Sequence, residues 1–179
     1  MTKKSFSLIP FPAPNIPEIT ITGNISRQSG VLRLHYTLAG SIKEVFLPPP
    51  STFPNRRDEL WKTTCFEFFL AIKDQPQYWE FNMSPSDDWN VYCMDAYRGI
   101  GFREESSIQQ LPFDFKTGYN GCSLNISVNL HPIIQPQQNI NIGVATILQT
   151  KDGNITYWAL LHPAPQADFH FKESFICTL

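Results

Sequence analysis

Glu67 and Glu80 have the least ordinary surroundings of any acidic residues in this sequence. Each sits between aromatic side chains, in Cys65-Phe66-Glu67-Phe68-Phe69 and Tyr78-Trp79-Glu80-Phe81-Asn82. A carboxylate among apolar neighbours costs several kcal/mol unless it is paired, hydrogen-bonded or open to a ligand. Two carboxyls about 5–10 Å apart could act as the acid and nucleophile of a glycoside hydrolase. Without hydrolysis, the same groups could accept hydrogen bonds from a polyhydroxylated ligand. Late in the chain, His162 and Asp168-Phe169-His170 bring two imidazoles and a carboxylate, the donor types of an open metal site. Their spacing matches no established metal signature. Ser84-Pro85-Ser86 lacks a histidine at recognisable spacing, and there is no glycine-rich phosphate loop.

The elements that must position these residues read as strands. Alternation of side chains puts Phe66, Phe68, Leu70 and Ile72 on one face and Cys65, Glu67, Phe69 and Ala71 on the other. In the next segment Trp79, Phe81 and Met83 oppose Tyr78, Glu80, Asn82 and Ser84. In the third, Trp89, Val91, Cys93, Asp95 and Tyr97 oppose Asn90, Tyr92, Met94, Ala96 and Arg98. The separators Asp74-Gln75-Pro76-Gln77 and Pro85-Ser86-Asp87-Asp88 are turn formers, so the three segments form a meander. One sheet face can then gather Glu67, Glu80, Asn82, Tyr92 and Arg98. Such a face either binds a polar ligand or is a solvated outer face on which Glu67 and Arg98 make an ion pair.

Period-two patterns also mark strands at 19–25, 31–38, 42–47, 123–130, 139–148, 155–161 and 174–178. Arg27-Gln28-Ser29-Gly30 and Lys151-Asp152-Gly153-Asn154 read as hairpin turns. Residues 48–59 make a long loop of prolines and charges, with Arg56-Arg57-Asp58-Glu59 solvated, and residues 1–17 a proline-rich extended arm. The expected architecture is all-β: one domain over residues 1–179, an antiparallel β-sandwich of two sheets with about nine to ten strands.

A chain of 179 residues is long enough to build a core without disulfide or metal staples. A net charge of -2 without blocks of one sign offers no footprint for nucleic acid or an anionic membrane, so neither is an expected partner. Pro10, Pro12 and Pro14 interrupt the early apolar residues, where a secretory segment needs about 7–15 in a row. A cytoplasmic location is the expectation, and Cys65, Cys93, Cys122 and Cys177 then serve as small buried apolar side chains.

The block Trp61-Lys62-Thr63-Thr64-Cys65-Phe66-Glu67-Phe68-Phe69-Leu70, with Tyr78-Trp79-Glu80-Phe81-Asn82-Met83-Ser84-Pro85 and Trp89-Asn90-Val91-Tyr92, resembles the DOMON-like branch of the family 9 carbohydrate-binding-module superfamily. Tyr157-Trp158-Ala159-Leu160, His162 and Asp168-Phe169-His170 resemble a second element of that branch. The resemblance implies a β-sandwich that binds a sugar or haem without catalysis. In the sugar-binding members tryptophans clamp the ring, making Trp61, Trp79, Trp89 and Trp158 candidate platforms. In the haem-binding members a methionine and a histidine ligate the iron, and Met83 or Met94 with His162 or His170 could supply that pair.

The expected function is a non-catalytic module that holds a carbohydrate or other small polar ligand through Trp61, Glu67, Glu80, Asn82, Trp89, Tyr92, Arg98 and Trp158. No cofactor is expected. The alternatives are a haem- or metal-binding sandwich, with His162, Asp168 and His170 as candidate metal ligands, and a glycoside hydrolase using the paired carboxylates.

Overall fold

Among the described residues, side-chain alternation and closely spaced turn formers give twelve strands that pair antiparallel throughout. The computed structural model describes residues 2–98 and 101–179. In chain order the strands are β1 (Thr2–Pro10), β2 (Ile19–Gln28), β3 (Val31–Gly40), β4 (Cys65–Ile72), β5 (Tyr78–Met83) and β6 (Trp89–Met94). They continue with β7 (Arg103–Glu104), β8 (Phe113–Gly118), β9 (Gly121–Asn129), β10 (Ile140–Gln149), β11 (Ile155–Ala159) and β12 (Cys177–Thr178).

The β2–β3 hairpin shows how local sequence fixes register. Gln28 pairs with Val31, leaving Ser29 and Gly30 as a two-residue loop with φ of 49° and 76°. Positive φ at both central positions matches the right-handed twist of the flanking strands, and glycine adopts it without a steric penalty.

The sheet order is β7-β6-β5-β4-β10-β11-β1-β2-β3-β9-β8, with β12 also paired to β10. This corrects two expectations. Residues 2–10 are not a surface arm. Through Leu8, β1 pairs with β2, and at Ile9 and Pro10 it pairs with β11, so it joins both halves of the sheet. The proline falls at the strand end, where a missing N–H does least harm. The two halves are therefore one continuous sheet that folds back on itself, rather than two separate sheets. The third expected strand, over 42–47, is instead a 3-10 turn at Ile42–Glu44 followed by a single bridge from Val45 to Thr150. Ile42 and Val45, three residues apart, both point inward, a spacing that suits a turn better than a strand.

The main core lies between the halves and includes Ile21, Ile25, Leu34, Tyr36 and Leu38 opposite Phe66, Phe68, Leu70, Phe81 and Val91. Tyr36 meets Phe66 edge-on at 5.3 Å, and its hydroxyl donates to the Glu67 carbonyl at 2.6 Å. The four cysteines are buried and free. Among the described residues, no helix is long and apolar enough to cross a membrane.

The other face of β4, β5 and β6 is also covered. A second apolar cluster of Phe69, Ala71, Tyr78, Tyr92, Met94, Ala145, Ile147 and Ala159 is overlaid by Phe169 and Phe175 from the C-terminal segment. Gly143 makes this cover possible, since a Cβ there would lie 2.7 Å from the Phe175 ring. Phe175 in turn stacks on Phe69 at 5.7 Å. The face carrying Glu67 is thus a second, partly open interior and not a wet outer surface.

Candidate functional site

Strand pairing brings the polar row together. Glu67 pairs with Asn82, Phe69 with Glu80, Glu80 with Tyr92 and Asn82 with Asn90. Glu67 and Glu80 are therefore diagonal neighbours on adjacent strands, with Cβ atoms about 7–8 Å apart at most. They form the floor of a cleft of about 480 Å³. Trp61, Phe69, Phe102, Tyr157 and Phe169 supply its aromatic lining, and Arg98 and His170 supply polar edges.

Both carboxyls are almost wholly shielded from solvent, at 1% and 5% exposure. Glu80 accepts a hydrogen bond from Asn82 Nδ2 at 2.8 Å, while Oε1 of Glu67 is buried with no hydrogen-bond partner. Burial, and secondly the negative charge of Glu80, push the Glu67 pKa well above the usual carboxylate range. Burial also raises Glu80, to about 7, despite the Asn82 hydrogen bond that favours its ionised form. The Cys65 thiol donates to Asn82 Oδ1 at 3.5 Å, and burial with the two carboxylates raises its pKa as well.

Basic groups at the rim offer little neutralisation. Arg98 Nε lies 3.1 Å from Asp168, and the Tyr97 hydroxyl donates to the same carboxylate at 2.5 Å. Burial opposes ionisation of Asp168, but these hydrogen bonds hold its pKa below the ordinary value. The expected Glu67–Arg98 ion pair does not form: Arg98 follows the end of β6 in a turn with φ of 39° and pairs with Asp168 instead. Burial drives the His170 pKa down to about 4, so near neutral pH its 3.8 Å approach to Glu80 is not an ion pair. The Tyr78 hydroxyl lies 3.0 Å from His170 Nδ1, and with that hydroxyl donating, the ring proton faces Glu80 from Nε2.

Of the residues named from sequence, Trp61, Glu67, Glu80 and Arg98 line the cleft, and His170 with them. Asn82 lies just beneath, oriented between Cys65 and Glu80. Tyr92 is a buried support: its hydroxyl donates to Asp58 at 2.6 Å, and its ring stacks on Phe102 at 4.8 Å and meets Trp61 edge-on. Trp89 and Trp158 are corrections, because both belong to the main core on the opposite face of the sheet, as does Trp79. Trp158 donates to Thr156 at 3.0 Å and Trp79 to Glu105 at 2.9 Å. Alternation itself places Trp89 on the row opposite Tyr92.

The metal and haem alternatives do not fit these side chains. His162 packs edge-on to Phe11 and faces the Ile9 carbonyl at 3.0 Å, while Asp168 accepts from the His170 amide. Among the described residues, no group of three or more His, Cys, Asp or Glu side chains is placed to hold a metal ion. Met83 is in the main core. Met94 and His170 do line the cleft, but both His170 ring nitrogens face protein groups, leaving none directed at an iron.

Several contributors carry no period in the sequence. Phe102, Tyr157 and Phe169 reach the cleft from a loop, a short strand and the C-terminal segment. Arg56 is no solvated loop residue: its guanidinium donates to Asn90 Oδ1 at 2.7 Å and to the carbonyls of Val91, Glu105 and Ile108, and lies 4.5 Å from the Trp89 ring centre. It fastens the long loop to β6 and thereby helps hold Asp58 under Tyr92. The only hint of this in sequence is the position of Arg56 just before the aromatic block.

The all-β fold is similar to that of a family 9 carbohydrate-binding module. Two solved structures show it. A protein of Bacteroides uniformis, provisionally assigned to carbohydrate binding, superposes with a TM-score of 0.67 over 97% of this chain and 84% of its own, at 10% identity. A family 9 carbohydrate-binding module of Caldicellulosiruptor kristjanssonii, solved with cellotriose, gives a TM-score of 0.58 over 90% of this chain and 74% of its own, at 8% identity. At such identities the likeness is one of fold. No family model and no curated protein sequence matches the chain.

Proposed function

We propose that this chain is a non-catalytic carbohydrate-binding module whose ligand lies in the cleft floored by Glu67 and Glu80. The observation that carries the reading is the unpartnered, fully buried Oε1 of Glu67 at the base of an aromatic-lined cleft. A protein does not usually leave such an acceptor unpaired, and a ligand hydroxyl or N–H would satisfy it. Trp61 and Tyr157 at the rim supply apolar faces for a sugar ring, while Glu80, Arg98 and His170 meet its polar edge.

The arrangement favours binding over hydrolysis. A glycoside hydrolase sets one carboxyl on each side of the scissile bond. Here both carboxyls rise from neighbouring strands into the same floor and would meet one side of a ligand. The DOMON-like label rests on the sequence motifs alone, and the family 9 likeness is supported by the fold.

The test is isothermal calorimetry with a panel of mono- and oligosaccharides that includes glucose and cellotriose. Saturable binding that falls about tenfold or more in Trp61→Ala, with no reducing sugar released from oligosaccharides, is the expected result. Binding of no saccharide, or binding unaffected by Trp61→Ala, would overturn it.

A further inference from the structure

Resting on the carbohydrate-binding reading, we infer that the cleft selects a ligand bearing a protonated primary amine, such as an amino sugar, over its neutral hydroxyl or N-acetyl counterpart. Three features of the floor point to a cationic group. Two carboxyls share a buried surface with a single amide donor, Asn82, serving one of them. Glu67 Oε1 has no hydrogen-bond partner, and the donor beside its carboxyl is only the weakly donating Cys65 thiol. Among the described residues lining the cleft, Arg98 is the one permanent cation, and Asp168 already neutralises it at 3.1 Å.

An ammonium group answers each of these. It carries three donors, enough to reach both carboxyls at once, and its charge replaces the missing counterion. The aromatic lining strengthens the preference, since ring faces attract cations in a desolvated site. A neutral hydroxyl has one proton to give and brings no charge, so it offers the ionised form of the pair no counterion.

Proton release gives the inference a second signature. The titratable and charged groups around the pair are Cys65 on β4, Tyr78 on β5, Tyr92 on β6 with Asp58 beneath it, Arg98 after β6, Tyr157 on β11, and Asp168 and His170 in the C-terminal segment. None of them presents an uncompensated cation to the floor near neutral pH. An arriving ammonium would favour the ionised pair, so protons leave the protein on binding, whereas a neutral sugar releases none.

Calorimetry near neutral pH with glucosamine, glucose, N-acetylglucosamine and n-butylamine, repeated in buffers of different ionisation enthalpy, tests this. The expected result is glucosamine binding about tenfold or more tighter than glucose and N-acetylglucosamine, with proton release. Glu67→Gln, which keeps the side-chain volume, is expected to reduce that preference to within about threefold. Equal binding of glucosamine and glucose would overturn the amine inference and leave the carbohydrate reading standing. Binding of n-butylamine with no sugar bound would support amine selection and remove the carbohydrate reading. Failure of every probe would overturn both.

Discussion

Replacing Glu80 with glutamine removes a buried acid while leaving its shape and its acceptor for Asn82, so its effect on stability should depend on pH. The Glu80 pKa is lifted from an ordinary 4.5 to about 7. Above 4.5 the unfolded chain has released this proton while the folded protein still holds it, so stability falls as pH rises and levels off above about 7. The accumulated loss is roughly 3 kcal/mol. His170 works in the opposite direction, because its pKa drops from 6.5 to about 4. The folded protein then holds fewer protons than the unfolded chain across that interval, and stability rises with pH by a similar roughly 3 kcal/mol. In the wild type the Glu80 and His170 slopes largely cancel between 4.5 and 6.5, and Glu67, whose pKa is also raised from 4.5, leaves a net fall in stability that begins in that interval and continues above it. Urea unfolding of wild type and Glu80→Gln across this range separates them. The two proteins should be equally stable in acid, and the variant should become more stable by up to roughly 3 kcal/mol above neutrality. A difference that does not change with pH, or a variant less stable at high pH, would show that Glu80 is not held protonated by burial.

Other outcomes follow from the same geometry. Tyr36→Phe removes the buried donor to the Glu67 carbonyl and should cost about 1–3 kcal/mol in chemical denaturation. Trp158→Phe should destabilise by about 1–2 kcal/mol yet leave ligand affinity unchanged, since Trp158 packs in the main core, and calorimetry beside a melting curve checks both halves. Trp61→Ala should weaken binding and also lower stability by about 1–3 kcal/mol, because this side chain is partly buried against Tyr92 at the cleft rim. Arg56→Ala should release the long loop from β6, detected as faster proteolysis between residues 48 and 62.

The part of the site lying on regular strands is legible in the sequence. Alternation in β4 and β5 puts Glu67, Glu80 and Asn82 on one face, while the register that pairs Glu67 with Asn82 comes from the structure. The same alternation sends Trp89 to the other face, where aromatic character alone makes it look like a platform. Where the chain leaves regular structure the signal is lost. Arg98 lies in a left-handed turn past the end of β6, so its position in the alternating row says nothing about its partner. Phe169 and Phe175 cover the face from a segment with little regular structure, so the second apolar cluster has no period to reveal it. In β1, Phe6 and Leu8 alternate, but the prolines that follow hide a strand whose last two residues join the sheet halves.

A 1H–15N NMR titration with the saccharide panel reports both whether a sugar binds and where. A bound sugar is expected to shift the Trp61 indole resonance and the amides of β4 and β5 around Glu67 and Glu80. A separate groove over β2, β3 and β9, lined by Asn24, Arg33, His35 and Asn125 among others, should stay still. Silence with every sugar, or shifts confined to that groove, would contradict sugar binding in the cleft.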